Sequence, residues 1–214
     1  MADDMLVLSI TSWLLQVISG TYSTINTFIT THGLAAIVAL MALESASLPI
    51  PSEVILPLAG RFAAAGDFSL YLAIAASIVG TVIGITVDYA IAYVLEKEVV
   101  YKHLSAFHIK KSDLDAFDAW FAKNGAFAVF VARLLPVVRG LISLPAGFAK
   151  MSLRDFYLYS IAGSLIWNVA LIMFGYWALA TSNAQLMFAA IAAFAIVLYL
   201  TYRIGMKRIS RHSK

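Results

Sequence analysis

The chain has 214 residues, of which 62% are hydrophobic and 13% charged, with a net charge of +3 and no cysteine. That balance excludes a water-soluble globular domain, and the missing thiols exclude disulfides, thiolate metal sites and cysteine nucleophiles. The basic residues lie in loops and tail instead of one patch, so positive-inside bias explains them and nucleic acid is not an expected partner.

In chain order, Asp3 and Asp4 stand where a secretory signal would carry lysines, so the N-terminus is expected to be retained, with residues 5–19 as an interfacial helix. An apolar run from Gly33 to Gly66 follows, interrupted by Glu44, Pro49, Pro51 and Glu53. Leu70 to Leu95 is then long enough to cross about 30 Å of hydrocarbon. Lys97, Lys102, Lys110, Lys111 and Lys123 assign the next stretch to the cytoplasm, where Ser112 to Lys123 reads as a second interfacial helix. Gly125 to Phe148 is another interrupted apolar run, containing Arg133, Pro136, Arg139 and Gly140. A second span covers Phe156 to Ala180. A third, about 184–205, enters a basic tail with Arg203, Lys207, Arg208, Arg211 and Lys214, which places the C-terminus in the cytoplasm.

Residues 97–124 and 150–155 are both expected on the cytoplasmic side, yet Gly125 to Phe148 lies between them. A segment that enters and leaves on one side satisfies both, provided that its broken backbone is buried in protein or lines a wet cavity. Each limb, such as Gly125 to Leu135, spans about 16 Å and so reaches roughly the bilayer midplane.

The order of features recurs at an offset of about ninety residues. Thr31-His32-Gly33, the interrupted run, Leu56-Pro57-Leu58-Ala59-Gly60 and Asp67-Phe68-Ser69-Leu70-Tyr71 precede the first span. Lys123-Asn124-Gly125, the second interrupted run, Leu144-Pro145-Ala146-Gly147 and Asp155-Phe156-Tyr157-Leu158-Tyr159 precede the second. A unit that crosses the membrane once on net must face the opposite way in its second copy. The expected fold is therefore an all-α polytopic membrane protein built as an inverted repeat of two re-entrant helical hairpins, each followed by a transmembrane helix. The repeats cover about 31–96 and 123–180 of a single membrane domain, 1–214, flanked by the N-terminal interfacial helix and the C-terminal transmembrane helix. Proline-interrupted segments at matching places in inverted halves mark the substrate site of secondary transporters, so Pro49, Pro51, Pro136 and Gly140 are read as hairpin tips.

The tips bring Glu44 and Glu53 toward Arg133 and Arg139. Burying such charges without partners costs several kilocalories per mole. One reading is structural, two buried salt bridges that lock the hairpins. The other gives the arginines an anion, most naturally a phosphate, because the guanidinium fork matches phosphate oxygens and keeps its proton. The glutamates are then proton sites, since apolar surroundings favour a neutral carboxyl and a neighbouring arginine favours a charged one. Asp88, inside the first span, reads as a snorkelling charge, and Asn168, beside Trp167 in the second, as packing glue. Gly80 and Gly84 read as a close-packing surface, and Lys150 as an interfacial anchor. His32, His103 and His108 are expected in loops at wide spacing, so neither a metal site nor a cofactor is expected.

Glu44-(x)4-Pro49-x-Pro51-x-Glu53 with Ala59-Gly60, and Ala132-Arg133-(x)2-Pro136-(x)2-Arg139-(x)5-Pro145-Ala146-Gly147, resemble the DedA family, the bacterial branch of the VTT-domain, or SNARE-associated Golgi protein, superfamily. The resemblance covers roughly residues 30–180. It implies opposed re-entrant hairpins, membrane-embedded acidic residues carried here by Glu44 and Glu53, and essential arginines carried by Arg133 and Arg139. It also implies lipid transport across the bacterial inner membrane, with undecaprenyl phosphate as the leading substrate and dependence on the proton motive force. The shorter spacing between the acidic residues, and Glu53 where other members have aspartate, depart from the pattern. The expected partners are thus a lipid phosphate, membrane lipids and protons, and a homo-oligomer is compatible with all of this. A general phospholipid scramblase, an intramembrane lipid phosphatase or phosphotransferase, and a proton or cation channel are the competing functions. The enzyme is disfavoured because Ser45, Ser47, Ser52 and Ser143 have no neighbouring base in the sequence.

Overall fold

The computed structural model describes residues 19–95, 111–136 and 138–178, and every regular element among them is helical. In chain order these are α1 (residues 19–32), α2 (Leu34–Ser45), α3 (Ser52–Ala65), α4 (Leu70–Val94), α5 (Lys111–Arg133), α6 (Val138–Leu141), α7 (Ser143–Phe148) and α8 (Leu153–Ala178). The expected N-terminal interfacial helix over 5–19 lies almost wholly outside the described residues. The C-terminal span 184–205, His103, His108, Lys97, Lys102 and Lys110 lie outside them altogether.

Among the described residues two helices, Leu70–Val94 and Leu153–Trp177, are long and apolar enough to cross a membrane. The first matches its sequence expectation to within a residue. The second starts three residues before Phe156, because Ser152 caps it: its hydroxyl accepts from the Asp155 backbone N–H at 3.2 Å and donates to the Asp155 carboxylate at 2.7 Å. Leu72, Val79, Ile83, Val87 and Val94 face outward from α4, and Leu158, Leu165 and Ile166 from α8. These are the side chains that hydrocarbon would cover.

The shorter helices pack on the two spans. α2 and α7 lie on α4, while α3 and the end of α5 lie on α8. Small residues permit each approach: a Cβ on Gly80 or Gly84 would overlap α2 backbone, and one on Gly60 would overlap the backbone of α8. Two kinks redirect the chain at matching places. Gly33, between α1 and α2, has φ 56 and ψ −132, and Gly125, within α5, has φ 55 and ψ −137, a region that glycine alone enters readily. α5 is consequently two helices, an amphipathic stretch up to Asn124 and an apolar one up to Arg133. His32, expected in a loop, instead closes the last turn of α1, with Nδ1 3.2 Å from the Phe28 carbonyl.

The apolar interior is divided. One cluster joins α1, α2 and α3 to Ala73 and Ala76 of α4 and to Trp167, Leu171 and Ile172 of α8. A second joins the later part of α5, Ile142 and Ala146 to Ile85 and Tyr89 of α4 and Phe156 of α8. Between the clusters the buried side chains are polar: Ser77 and Thr81 on α4, Ser160, Ser164 and Asn168 on α8. Both spans therefore carry their polar residues near mid-length, and the functional groups gather at that level.

Candidate functional site

Two chain reversals supply the charges. Residues 46–51 join α2 to α3. Ser47 there adopts a positive φ of 58, while Pro49 and Pro51 prevent helix from continuing across the break. The second reversal follows Arg133, where Pro136 interrupts the helix before α6. The last turn of α2 presents Glu44, α5 ends on Arg133, and α6 carries Arg139. Glu44 is 7% exposed, Asp88 3%, Arg133 1% and Arg139 2%, so two carboxyls and two guanidiniums share the interior. Their formal charges cancel.

Glu44 meets Arg139. Arg139 Nε lies 3.2 Å from Glu44 Oε1, and Nη2 donates to Oε2 at 3.4 Å. Ser45 Oγ also donates to Oε2, at 3.0 Å. The guanidinium lies 5.2 Å from the centre of the Trp167 ring, a cation–π contact from α8. Arg133 plays another part. Its Nη1 donates to the Arg139 carbonyl and its Nη2 donates to Ser143 Oγ at 2.7 Å, so it ties α5 to α6 and α7 through neutral groups. Gly163 makes room for it, since a Cβ there would sit 2.7 Å from Arg133 Cβ and 2.9 Å from the Phe130 carbonyl oxygen.

Asp88, read from sequence as a charge reaching for the interface, is instead drawn inward by the first reversal. Its carboxylate bonds Ser47 Oγ, and the same hydroxyl lies 3.1 Å from the Gly140 carbonyl oxygen. A serine hydroxyl has one proton for these two acceptors, so a proton on Asp88 would complete a chain from Asp88 through Ser47 to Gly140. Ser47 thus links both reversals to α4. Glu53 forms no ion pair with the arginines among the described residues. It is half-buried in the first turn of α3, and Ser52 Oγ at 3.5 Å is its recorded contact among the described residues. Asn168 packs as expected, donating through Nδ2 to Ser77 Oγ at 3.1 Å and to Thr81 Oγ1 at 3.4 Å.

The hydrogen bonding is incomplete. Among the described residues, Arg133 Nε, Arg139 Nε and Arg139 Nη1 are buried without an acceptor in hydrogen-bonding geometry, and Ser160 Oγ, Ser164 Oγ and Asn168 Oδ1 are buried without a partner. Each such group costs about 1–3 kcal/mol if it stays dry, and more where it is charged. Five of these six groups can donate a hydrogen bond, and Asn168 Oδ1 can only accept one. Among the described residues no group of three His, Asp or Glu side chains could hold a metal ion. The cleft bounded by Ser23, Thr27, Phe28 and His32 along α1 shares none of these residues.

The family model of the VTT domain matches residues 50–177, from the first reversal to the end of α8. Undecaprenyl phosphate transporter A of Staphylococcus aureus is 35% identical over 155 residues, which cover 71% of this chain and 76% of that protein. An alkaline phosphatase-like protein of Lactococcus lactis subsp. lactis is 35% identical over 141 residues, 64% of this chain and 66% of its own length. Protein DedA of Escherichia coli is 26% identical over 129 residues, 59% of this chain and 58% of its own. No solved structure shows a significant match.

Proposed function

The chain belongs to the VTT domain family of membrane proteins, and from that premise we propose that it is a transporter that moves a phosphorylated lipid between leaflets, with undecaprenyl phosphate as its substrate. One observation carries the reading: among the described residues, both buried guanidiniums retain N–H groups without a hydrogen-bond acceptor, and only that of Arg139 is paired with a carboxylate. A phosphate monoester supplies the missing acceptors and fits the guanidinium fork. Arg139 is the primary phosphate ligand and Arg133 the second, and the polyprenyl tail stays in lipid while the head group passes.

Proton coupling follows from competition for Arg139. An ionised Glu44 holds the guanidinium, whereas a protonated Glu44 releases it to the phosphate. Asp88 adds a second proton site, tied through Ser47 to the carbonyl of Gly140, next to Arg139. Glu53 stands near the entrance of α3 as a further carboxyl on the proton route. The two reversals dip into the bacterial inner membrane from opposite sides, as re-entrant hairpins of an inverted repeat, and the C-terminus is cytoplasmic. The equal backbone angles at Gly33 and Gly125 support this symmetry. So does the exchange of partners, in which α3 packs on the span of the other half and α7 on α4. The direction is from periplasmic to cytoplasmic leaflet.

Binding by the purified protein in detergent tests the assignment, with farnesyl phosphate, farnesol and phosphatidylglycerol as probes. Farnesyl phosphate is expected to bind and raise the melting temperature, and farnesol at the same concentration is not. Equal binding of farnesol, or release of inorganic phosphate from farnesyl phosphate, would contradict a transporter that recognises the phosphate. The second result would favour hydrolysis, which the name of the Lactococcus lactis relative suggests for that protein.

A further inference from the structure

Ser160, Ser164 and Asn168 belong to α8, whose Gly163 and Trp167 already touch the arginines. Gly163 packs on Arg133, Trp167 lies against Arg139, and Asn168 reaches α4 through Ser77 and Thr81. At 100° per residue, with Gly163 at zero, Trp167 lies at about 40°, Ser160 at about 60°, Ser164 at about 100° and Asn168 at about 140°. The two serines therefore fall in the sector between the arginine-facing edge of α8 and the edge that bonds α4. They look into the interior that the guanidiniums enter.

Both hydroxyls are fully buried and have no partner among the described residues. Within a helix a serine usually returns its proton to the carbonyl four residues earlier, as Thr81 does to Ser77 at 2.9 Å. Ser160 and Ser164 do not, so their protons remain available. Successive positions along Ser160, Ser164 and Asn168 are about 6 Å apart, close to the spacing of two hydrogen bonds through one bridging atom group. A tetrahedral oxyanion can span it.

Resting on the reading that Arg139 and Arg133 hold a phosphate, we infer that α8 forms the other half of that site, with Ser160 Oγ and Ser164 Oγ donating to phosphate oxygens opposite the arginines. Asn168 Oδ1, which can only accept, takes a hydrogen bond from the hydroxyl of a singly protonated phosphate. The ligand class is a phosphate group, either a lipid head group or free inorganic phosphate. Neutral donors suit a group that must be released, because they add direction to the site without adding charge.

The test measures binding of farnesyl phosphate and of inorganic phosphate, together with the melting temperature of the ligand-free protein, for wild type, Ser160→Ala, Ser164→Ala, the double serine variant and Arg139→Ala. Each lost hydroxyl is expected to weaken farnesyl phosphate binding about tenfold, and the double variant about a hundredfold. The ligand-free melting temperature should stay level or rise, because alanine removes a buried hydroxyl that had no partner. Inorganic phosphate that competes and weakens in parallel assigns the site to phosphate in general, and failure to compete assigns it to the lipid head group. Unchanged affinity in the double variant with a lowered melting temperature would overturn the inference, since the hydroxyls then serve the resting fold. If Arg139→Ala weakens binding while the serine variants do not, this inference fails alone. If wild type binds neither probe, the transporter reading fails with it.

Discussion

Arg139→Ala is expected to weaken binding of a polyprenyl phosphate at least about a hundredfold, since two or more charge-assisted hydrogen bonds disappear at once. Transport should fall to background. The substitution also leaves Glu44 buried with Ser45 as its one remaining partner among the described residues, and an uncompensated buried charge costs about 3–5 kcal/mol. A fall in melting temperature is therefore expected and does not by itself establish a phosphate site. Arg139→Ala combined with Glu44→Gln separates the two roles: the melting temperature should recover because the orphaned charge is gone, while transport should not. Transport by that double variant near the wild-type rate would remove Arg139 from the substrate site. Arg139→Lys keeps the charge but loses the planar fork, so intermediate affinity is expected.

Glu44→Gln has the opposite sign for binding. In the resting protein the Glu44 carboxylate lies along the Nε–Nη2 edge of the Arg139 guanidinium, so an incoming phosphate that takes that edge must displace it. Glutamine keeps the shape and one weaker acceptor, and affinity for farnesyl phosphate should rise about tenfold, the difference between a charged and a neutral competitor. The same change removes the proton that exchanges with substrate, so transport should lose its response to an imposed pH gradient even though binding is tighter. Unaltered affinity together with an unaltered gradient response would assign Glu44 to holding the second reversal in place.

How far these residues were legible in the sequence depended on the range of the interaction. The span Leu70–Val94 was readable from hydropathy alone, and Gly80 and Gly84 were readable as packing surface because an unbranched stripe needs nothing beyond its own helix. Glu44 and Arg139 stood out as charges in apolar runs, and the matched kinks at Gly33 and Gly125 lay where the recurring order placed them. The pairing itself was not legible. Arg133 bonds a backbone carbonyl and a serine hydroxyl, partners that no charge pattern announces. The fate of Asp88 depends on Ser47, forty-one residues earlier and held at positive φ, so its depth along α4 suggested an interface while the tertiary contact drew it inward. A signal for α8 was available: Ser160, Ser164 and Asn168 recur every fourth residue, a polar stripe on one face of an apolar span. Read as isolated small residues they pass for packing, and only the absence, among the described residues, of partners for Ser160 Oγ, Ser164 Oγ and Asn168 Oδ1 separates them from it.

The most direct test of the account is transport of labelled undecaprenyl phosphate by the purified protein in proteoliposomes, with and without an imposed pH gradient, beside a labelled phospholipid. The account predicts movement of the polyprenyl phosphate that the gradient accelerates and that greatly exceeds movement of the phospholipid. Equal movement of both lipids regardless of the gradient would make the protein a scramblase, and no movement of either would contradict the transporter itself.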